Sequence, residues 1–306
     1  MKKVYLVLTF IIFATAAQLS AQQDPQLSQH MFAKLAFNPA FAGANGSYCG
    51  TLLYRNQWTG FGGEPKTFLF TGDAYIDDIS SGVGLTVISD QIGFDKNLSV
   101  RAAYAYRLDL GAGKLGIGAD FGLMQKSVDG AKFVFTDRDD KSIPTTNVSG
   151  STFDLGFGAY YNTDKLYVGA SASHLTEGDI KYGDTKTKLA RHYYLQAGYN
   201  IELTSSMTLK PCVLMKTDAA STQLDINANL LVNNKYWGGL SYRLQDAIVI
   251  MAGLEIIPNL KLGYSYDLTL SDIKTYSSGT HEVMLGYCFK PVKVIHRQFH
   301  RNVRFL

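Results

Sequence analysis

Thr222-Gln223-Leu224-Asp225-Ile226-Asn227-Ala228-Asn229-Leu230 alternates without a break: Leu224, Ile226, Ala228 and Leu230 take one side, Gln223, Asp225, Asn227 and Asn229 the other. Successive side chains of a β-strand point to opposite faces, so this is the pattern of a strand with one apolar and one polar face. It recurs over Leu98 to Arg107, where Leu98, Val100, Ala102, Tyr104 and Tyr106 alternate with Ser99, Arg101, Ala103, Ala105 and Arg107. Over Leu260 to Leu268, Leu262, Tyr264 and Tyr266 are set against Lys261, Gly263, Ser265 and Asp267. The polar face carries charge and glycine in mid-strand. A soluble sandwich also alternates, so periodicity alone leaves a soluble all-β protein of two sandwiches open.

Strand number, strand length and loop order separate the two. Fourteen strands are read near 47–58, 66–77, 81–91, 96–109, 113–127, 152–162, 165–175, 190–202, 207–217, 222–231, 235–244, 247–256, 259–268 and 281–289. Most run about 9 to 13 residues, close to what a tilted strand needs to cross a bilayer. Even-numbered strands mostly pass to the next through short turns such as Asp78-Ile79-Ser80, Gly111-Ala112 and Asn233-Asn234. Odd-numbered strands often hand over through longer segments, among them Val128 to Ser151, Thr176 to Leu189 and Thr269 to Thr280. Short turns on one rim and long loops on the other mark an outer-membrane barrel. The expected fold is therefore all-β: a transmembrane antiparallel β-barrel of about 14 strands over residues 47–289, with short periplasmic turns and longer extracellular loops. The last strand agrees, since Val283, Leu285, Tyr287 and Phe289 share one face and it ends on an aromatic.

Composition excludes several classes. With 46% hydrophobic residues and only three Cys, the chain is neither disordered nor a disulfide-rich miniature domain. Its one long apolar stretch, Val4 to Ala17, is about 14 residues, too short for a spanning helix, which needs roughly 20. Lys2 and Lys3 precede that stretch and Ala16, Ala17, Ser20 and Ala21 follow it, which reads as a secretory signal peptide over 1–21, cleaved after Ala21. Residues 22–46 carry no alternation and are expected to fold into or beneath the barrel as a plug or periplasmic-rim segment. Lys290 to Leu306 holds five basic residues and no acid, which makes 290–306 a basic periplasmic tail. Without Lys2 and Lys3 the chain has 27 basic against 26 acidic residues, a balance that argues against a nucleic-acid partner, and the body ahead of the tail is the slightly acidic part.

Chemistry-bearing motifs are weak. Gly111-Ala-Gly113-Lys-Leu-Gly116 matches a dinucleotide fingerprint by letter, but a strand rather than a helix follows it. His281-Glu282 opens like a zinc-protease motif, yet Leu285 stands at the second histidine position. His174 and His192 flank the Thr176 to Leu189 loop, with Ser173, Asp179 and Asp184 close in sequence, an ordinary set for a polar loop. No catalytic residue, metal site or cofactor is assigned, and the expectation is a protein that is not an enzyme. The inward charges Arg55, Asp73, Arg101, Asp120, Asp154, Lys210, Asp225, Arg243, Lys261 and Asp267 mix both signs. They read as a salt-bridged network that stiffens the barrel, or as the wall of a polar channel or plug seat. Cys49 opens the first strand and Cys288 closes the last, both inward by phase; a seam disulfide and two free thiols both stay open at this point.

Gln23-Asp24-Pro25-Gln26-Leu27-Ser28-Gln29-His30-Met31-Phe32 and Phe37-Asn38-Pro39-Ala40-Phe41-Ala42-Gly43 together resemble the opening signature of the PorP/SprF family of Bacteroidetes outer-membrane proteins, associated with type IX secretion. Arg55-Asn-Gln57-Trp58-Thr-Gly60 with Pro65, the Asp90-Gln-Ile92-Gly93 corner, His281 to Tyr287 and the ending Arg301-Asn302-Val303-Arg304-Phe305-Leu306 extend the resemblance over the whole mature chain. Val303 departs from an expected Pro, and Ala33-Lys34 from an expected Asn-Pro. The resemblance implies an outer-membrane protein that helps secrete, or anchors, large surface adhesins and other cargo through their C-terminal domain, as in gliding motility. Expected partners are that cargo domain, type IX secretion components, periplasmic lipoproteins and outer-membrane lipid. Partner-binding residues are expected in the N-terminal segment at Asp24, Pro25, Met31, Phe32, Phe37, Asn38, Pro39 and Phe41, with Arg55, Gln57, Trp58 and Asp90 as barrel and loop signature. In the tail they are expected at Arg297, Phe299, Arg301, Arg304, Phe305 and Leu306. An outer-membrane diffusion porin or small-solute transporter, and a structural link to periplasmic lipoproteins, are the competing readings.

Overall fold

The computed structural model describes residues 24–133, 144–183 and 185–290. The signal peptide, Asp184 and the tail residues Arg297, Phe299, Arg301, Arg304, Phe305 and Leu306 lie outside the described residues. The strands are β1 (Tyr48–Asn56), β2 (Lys66–Ile76), β3 (Ser81–Ile92), β4 (Asp95–Leu110), β5 (Gly113–Asp129), β6 (Asn147–Asn162), β7 (Leu166–Ser173), β8 (Asp179–Tyr182) and β9 (Thr185–Lys188). They continue as β10 (His192–Tyr199), β11 (Ile201–Thr204), β12 (Met207–Thr217), β13 (Thr222–Val232), β14 (Tyr236–Arg243), β15 (Ala247–Ile257), β16 (Leu260–Thr269) and β17 (Thr280–Phe289).

Neighbours in sequence are antiparallel neighbours in space, and β1 pairs with β17 to close the ring. β10 and β11 both pair with β12 and form one interrupted stave, which makes fourteen staves among the described residues. The break sits at Asn200, whose N–H donates to Lys165 O at 2.7 Å and whose Nδ2 donates to Asp164 O at 2.9 Å, drawing the chain out of the ladder. β8 and β9 form a separate hairpin between β7 and β10, where the sequence showed only a polar loop. The ladder of β5 and β6 runs further outward than the periodicity indicated, because Val128 pairs with Val148 and Asp129 with Asn147.

Alternation sets the two faces. Leu52, Tyr54, Phe68, Val100, Tyr104, Phe121, Leu240, Ile250 and Leu285 are exposed on the outward side, an apolar belt of the kind that meets lipid. At the seam, Cys49 lies opposite Cys288 and the two form a disulfide, with Cα atoms 4.1 Å apart. Cys212 is a free, buried thiol. No described helix is long and apolar enough to cross a membrane; crossing is by strands.

Residues 24–47 lie inside the ring. Three short 3-10 turns, His30–Phe32, Lys34–Ala36 and Pro39–Phe41, fold the segment back and forth, and Asn38 caps the third by accepting a hydrogen bond from Ala40 N at 3.0 Å. Leu27, Ala36 and Phe37 pack against Leu53, Leu69, Tyr194 and Leu214, while Phe41 packs with Ala103, Ala105 and Tyr160. The inward glycines explain how backbone fits there. A Cβ on Gly82 would fall 2.1 Å from Ala42 O, and one on Gly118 2.6 Å from Ala40 Cα. Both positions admit no side chain because the segment lies against the wall.

Candidate functional site

At the outer half of the interior, five strands deliver a charged clamp onto the segment. Alternation puts Arg55 (β1), Asp225 (β13), Arg243 (β14), Asp267 (β16) and Glu282 (β17) on inward faces, and the registers of the ring bring them together. Arg55 pairs with Asp267 at 2.9 Å and Glu282 at 3.1 Å; Arg243 pairs with Asp267 at 2.9 Å and Asp225 at 3.2 Å. All five side chains are at most 3% exposed. Charges so deeply buried are tolerable only when paired and hydrogen-bonded, and Ser28 and Gln29 complete that pairing. Ser28 N and Gln29 N donate to the two oxygens of Glu282 at 2.8 and 2.7 Å. The Ser28 hydroxyl accepts from both arginines and contacts Asp267.

A second anchor holds the start of the segment nearer the outer rim. His174, just after β7, contacts Asp154 Oδ2 through Nδ1 at 2.7 Å and Asp24 Oδ1 through Nε2 at 2.9 Å. Burial disfavours the charged imidazole, but Asp24 and Asp154 outweigh it and raise His174 to about 10, so it is an imidazolium donating from both nitrogens. Burial likewise pushes Asp24 up, yet His174 prevails and holds it well below the usual carboxylate range. The Tyr194 hydroxyl donates to the other Asp24 oxygen, and Lys216 Nζ donates to Asp24 O at 2.9 Å. His192 takes Ala190 O at 3.0 Å with Nδ1 and receives Asp24 N on Nε2 at 3.3 Å. Asp24, His174 and His192 thus cluster within 4.8 Å of one another. With both His174 nitrogens committed to carboxylates, the arrangement is an ion-paired latch. The partners of His174 are Asp154 and Asp24, remote in sequence, and not Asp179, which pairs with Lys186 at 2.8 Å.

The residues singled out in the N-terminal segment meet the barrel's own walls. Asn38 Nδ2 donates to Ala159 O at 3.0 Å, Ser171 donates to Phe37 O at 2.6 Å, and the Phe32 ring packs at a tilt against Trp237, centroids 4.8 Å apart. Pro39, Phe37 and Phe41 are buried; Pro25 and Met31 are half-buried. Among the barrel signature, Arg55 enters the clamp. Gln57 and Trp58 shape the outer loop, where Gln57 N donates to Pro65 O at 2.9 Å and Trp58 N to Thr280 Oγ1 at 3.0 Å. Asp90 accepts from Thr67 Oγ1 at 2.6 Å. Of the other inward charges, Arg101 lies 3.8 Å from Asp120 and donates to Ala36 O at 2.8 Å, and Asp73 accepts from Gly43 N at 3.0 Å. The interior charges therefore act both as a salt-bridged network and as a seat for residues 24–47.

A family profile described as type IX secretion system membrane protein PorP/SprF matches residues 19–287. The chain belongs to the PorP/SprF family. In this PorP/SprF chain the clamp and the latch both fall within the matched span. A search among curated proteins finds no match. Among solved structures, the CymD monoaromatic hydrocarbon channel is similar with a TM-score of 0.51 at 12% identity, covering 86% of this chain and 93% of that one. The toluene transporter TbuX of Ralstonia pickettii gives 0.50 at 10% identity, covering 85% and 93%. These likenesses show the fold, an outer-membrane barrel, and with the family they place the chain in the outer membrane. Ser28, Gln29 and Glu282 stood inside the PorP/SprF motifs without being picked out. An acid at mid-face of an inward strand, in phase with Arg55 across the seam, was the available signal.

Proposed function

We propose that this outer-membrane barrel is non-enzymatic and serves type IX secretion by anchoring, or helping to deliver, large surface adhesins through their C-terminal domain. The carrying observation is that residues 24–47 occupy the interior and are tied across it by the Ser28 clamp, which suits a docking platform better than a diffusion pore. The outer face is also preorganised: Thr59 N donates to Gly279 O at 2.8 Å and Ser278 N to Thr59 O at 2.6 Å, joining two outer loops into one surface. The basic tail, 290–306, would contact secretion components or lipoproteins on the periplasmic side, and its deletion is expected to leave the barrel assembled while impairing cargo display.

The test is affinity capture of the tagged protein from detergent-solubilised native outer membranes, with mass spectrometry of what co-elutes. Recovery of a large secreted protein, lost when its C-terminal domain is removed, supports the proposal. Recovery of the barrel alone, together with open, ion-selective conductance in planar bilayers, would replace it with the porin reading.

A further inference from the structure

On the short-turn rim, which faces the periplasm in a barrel of this type, a cavity of about 300 Å³ opens beneath the folded segment. Five lysines line it: Lys34 from the segment, Lys210 and Lys261 from strands, Lys165 and Lys235 from turns. Among the described residues Glu255 is the one acid on that wall, and its Oε1 is engaged by Asn259 N at 2.9 Å. No carboxylate among the described residues lies within ion-pair distance of any of the five. Elsewhere in the interior Arg55, Arg101 and Arg243 are each matched with carboxylates, whereas these five ammonium groups are not.

Lys34 is the innermost. Its Nζ lies 3.5 Å above the Tyr167 ring and 3.4 Å from the Tyr160 hydroxyl, neither of which neutralises it. Burial, with Lys210 adding to it, pulls the Lys34 ammonium down to about 8, the mark of a cation missing its counter-charge. Trp237 and Asn229 line the same cavity, with Tyr160, Tyr167 and Phe32 beside them.

We propose that this cavity is a binding site for an acidic peptide segment of a periplasmic protein. The class follows from the lining. The lysines sit on separate strands and turns, so they match several carboxylates spaced along a chain better than one compact anion. The aromatic wall beside them takes an apolar side chain. The chain's own C-terminal segment carries five basic residues and no acid, so it has the wrong charge to be the occupant. The site lies on the opposite rim from the outer loops assigned to cargo, so it stands or falls separately from that assignment.

The experiment uses the full mature chain in detergent with Trp58→Phe, which leaves Trp237 as the single tryptophan reporter. The probe is an acetylated, amidated hexapeptide of alternating leucine and glutamate, with its leucine-glutamine counterpart as control. A saturable change in Trp237 emission with the glutamate peptide, weakening as salt rises and absent with the control, is the expected result. Lys34→Gln and Lys261→Gln should each weaken binding about tenfold, with Lys34→Arg retaining it. Lys261 is exposed, so its replacement leaves folding unaffected. No saturable response, equal binding of the glutamine peptide, or full competition by inorganic phosphate at the same concentration would each overturn the proposal.

Discussion

Ser28 sets its hydroxyl 2.8 and 2.7 Å from the two carboxylate oxygens of Asp267, 239 positions away in sequence. Arg55 Nη1 and Arg243 Nη2 reach the same hydroxyl at 2.8 and 3.1 Å. One small side chain of the internal segment thus joins the two buried arginines and their shared carboxylate. Ser28→Ala is expected to cost about 1–3 kcal/mol, since it leaves buried donors short of a partner. Asp267→Asn, which leaves two buried guanidiniums undercharged, is expected to cost about 3–5 kcal/mol. Unfolding midpoints in detergent, read by the loss of heat-modifiable migration, check both, and equal midpoints for wild type and Asp267→Asn would sink the clamp.

Displacing the segment should open the barrel without unravelling it. Gly82→Val puts a side chain where Ala42 O lies, and Gly118→Val does the same at Ala40. Strand pairing does not need either glycine, and valine favours strands. Both variants are expected to fold as barrels and to show conductance at least several-fold above wild type in planar bilayers. Wild-type conductance in both would mean that something other than residues 24–47 blocks the lumen.

The latch between Asp24 and His174 should loosen with alkali. His174 is raised from 6.5 to about 10 in the folded protein, so its contribution is complete below pH 6.5, declines as pH rises and is gone once pH passes about 10. Asp24 has the opposite sign: it is lowered, so its contribution is present above its usual 3.8 and is lost as pH falls through the depressed value. Protection factors of residues 24–30, the intrinsic rise with hydroxide divided out, are therefore expected to be greatest near neutral pH and to fall toward pH 10. His174→Gln should abolish that fall. A flat protection factor from pH 6 to 10 in wild type would remove the latch.

The seam disulfide should be detectable and stabilising. Non-reducing peptide mapping is expected to recover Cys49 and Cys288 in one linked species and Cys212 as a free thiol. Because the link closes most of the chain into a loop, Cys49→Ser is expected to lower stability by about 2–4 kcal/mol. An unchanged unfolding midpoint in that variant would show that β1 and β17 hold the seam unaided.

Much of the barrel could be read along the chain because its cause is local. Leu224, Ile226, Ala228 and Leu230 face lipid and Asp225, Asn227 and Asn229 face inward for the same reason that Leu98 and Arg101 do: a strand has period two, and the two solvents differ. Reading failed where the cause was not local. Asn200 interrupts a stave through bonds to Lys165 and Asp164 on a neighbouring turn, and β8 and β9 pair only with each other above the rim. His174 stood out beside Ser173, Asp179 and Asp184 because these are near in sequence, while its actual partners, Asp154 and Asp24, lie 20 and 150 positions away.

By itself the sequence determined that the chain forms strands, how many, which face of each meets lipid, and that Cys49 and Cys288 share the inward phase at the seam. Alternation and turn length are properties of neighbouring residues, and a closed antiparallel ring of sequential strands follows from them. Only the tertiary structure decided that residues 24–47 lie inside the ring, that Ser28 meets Arg55, Arg243, Asp267 and Glu282, and that five lysines gather unpaired on the periplasmic side. Those contacts depend on how far each stave is shifted against the next and on where an irregular segment comes to rest. Both are fixed by closure of the whole ring around its contents, and no local stretch of the chain carries them.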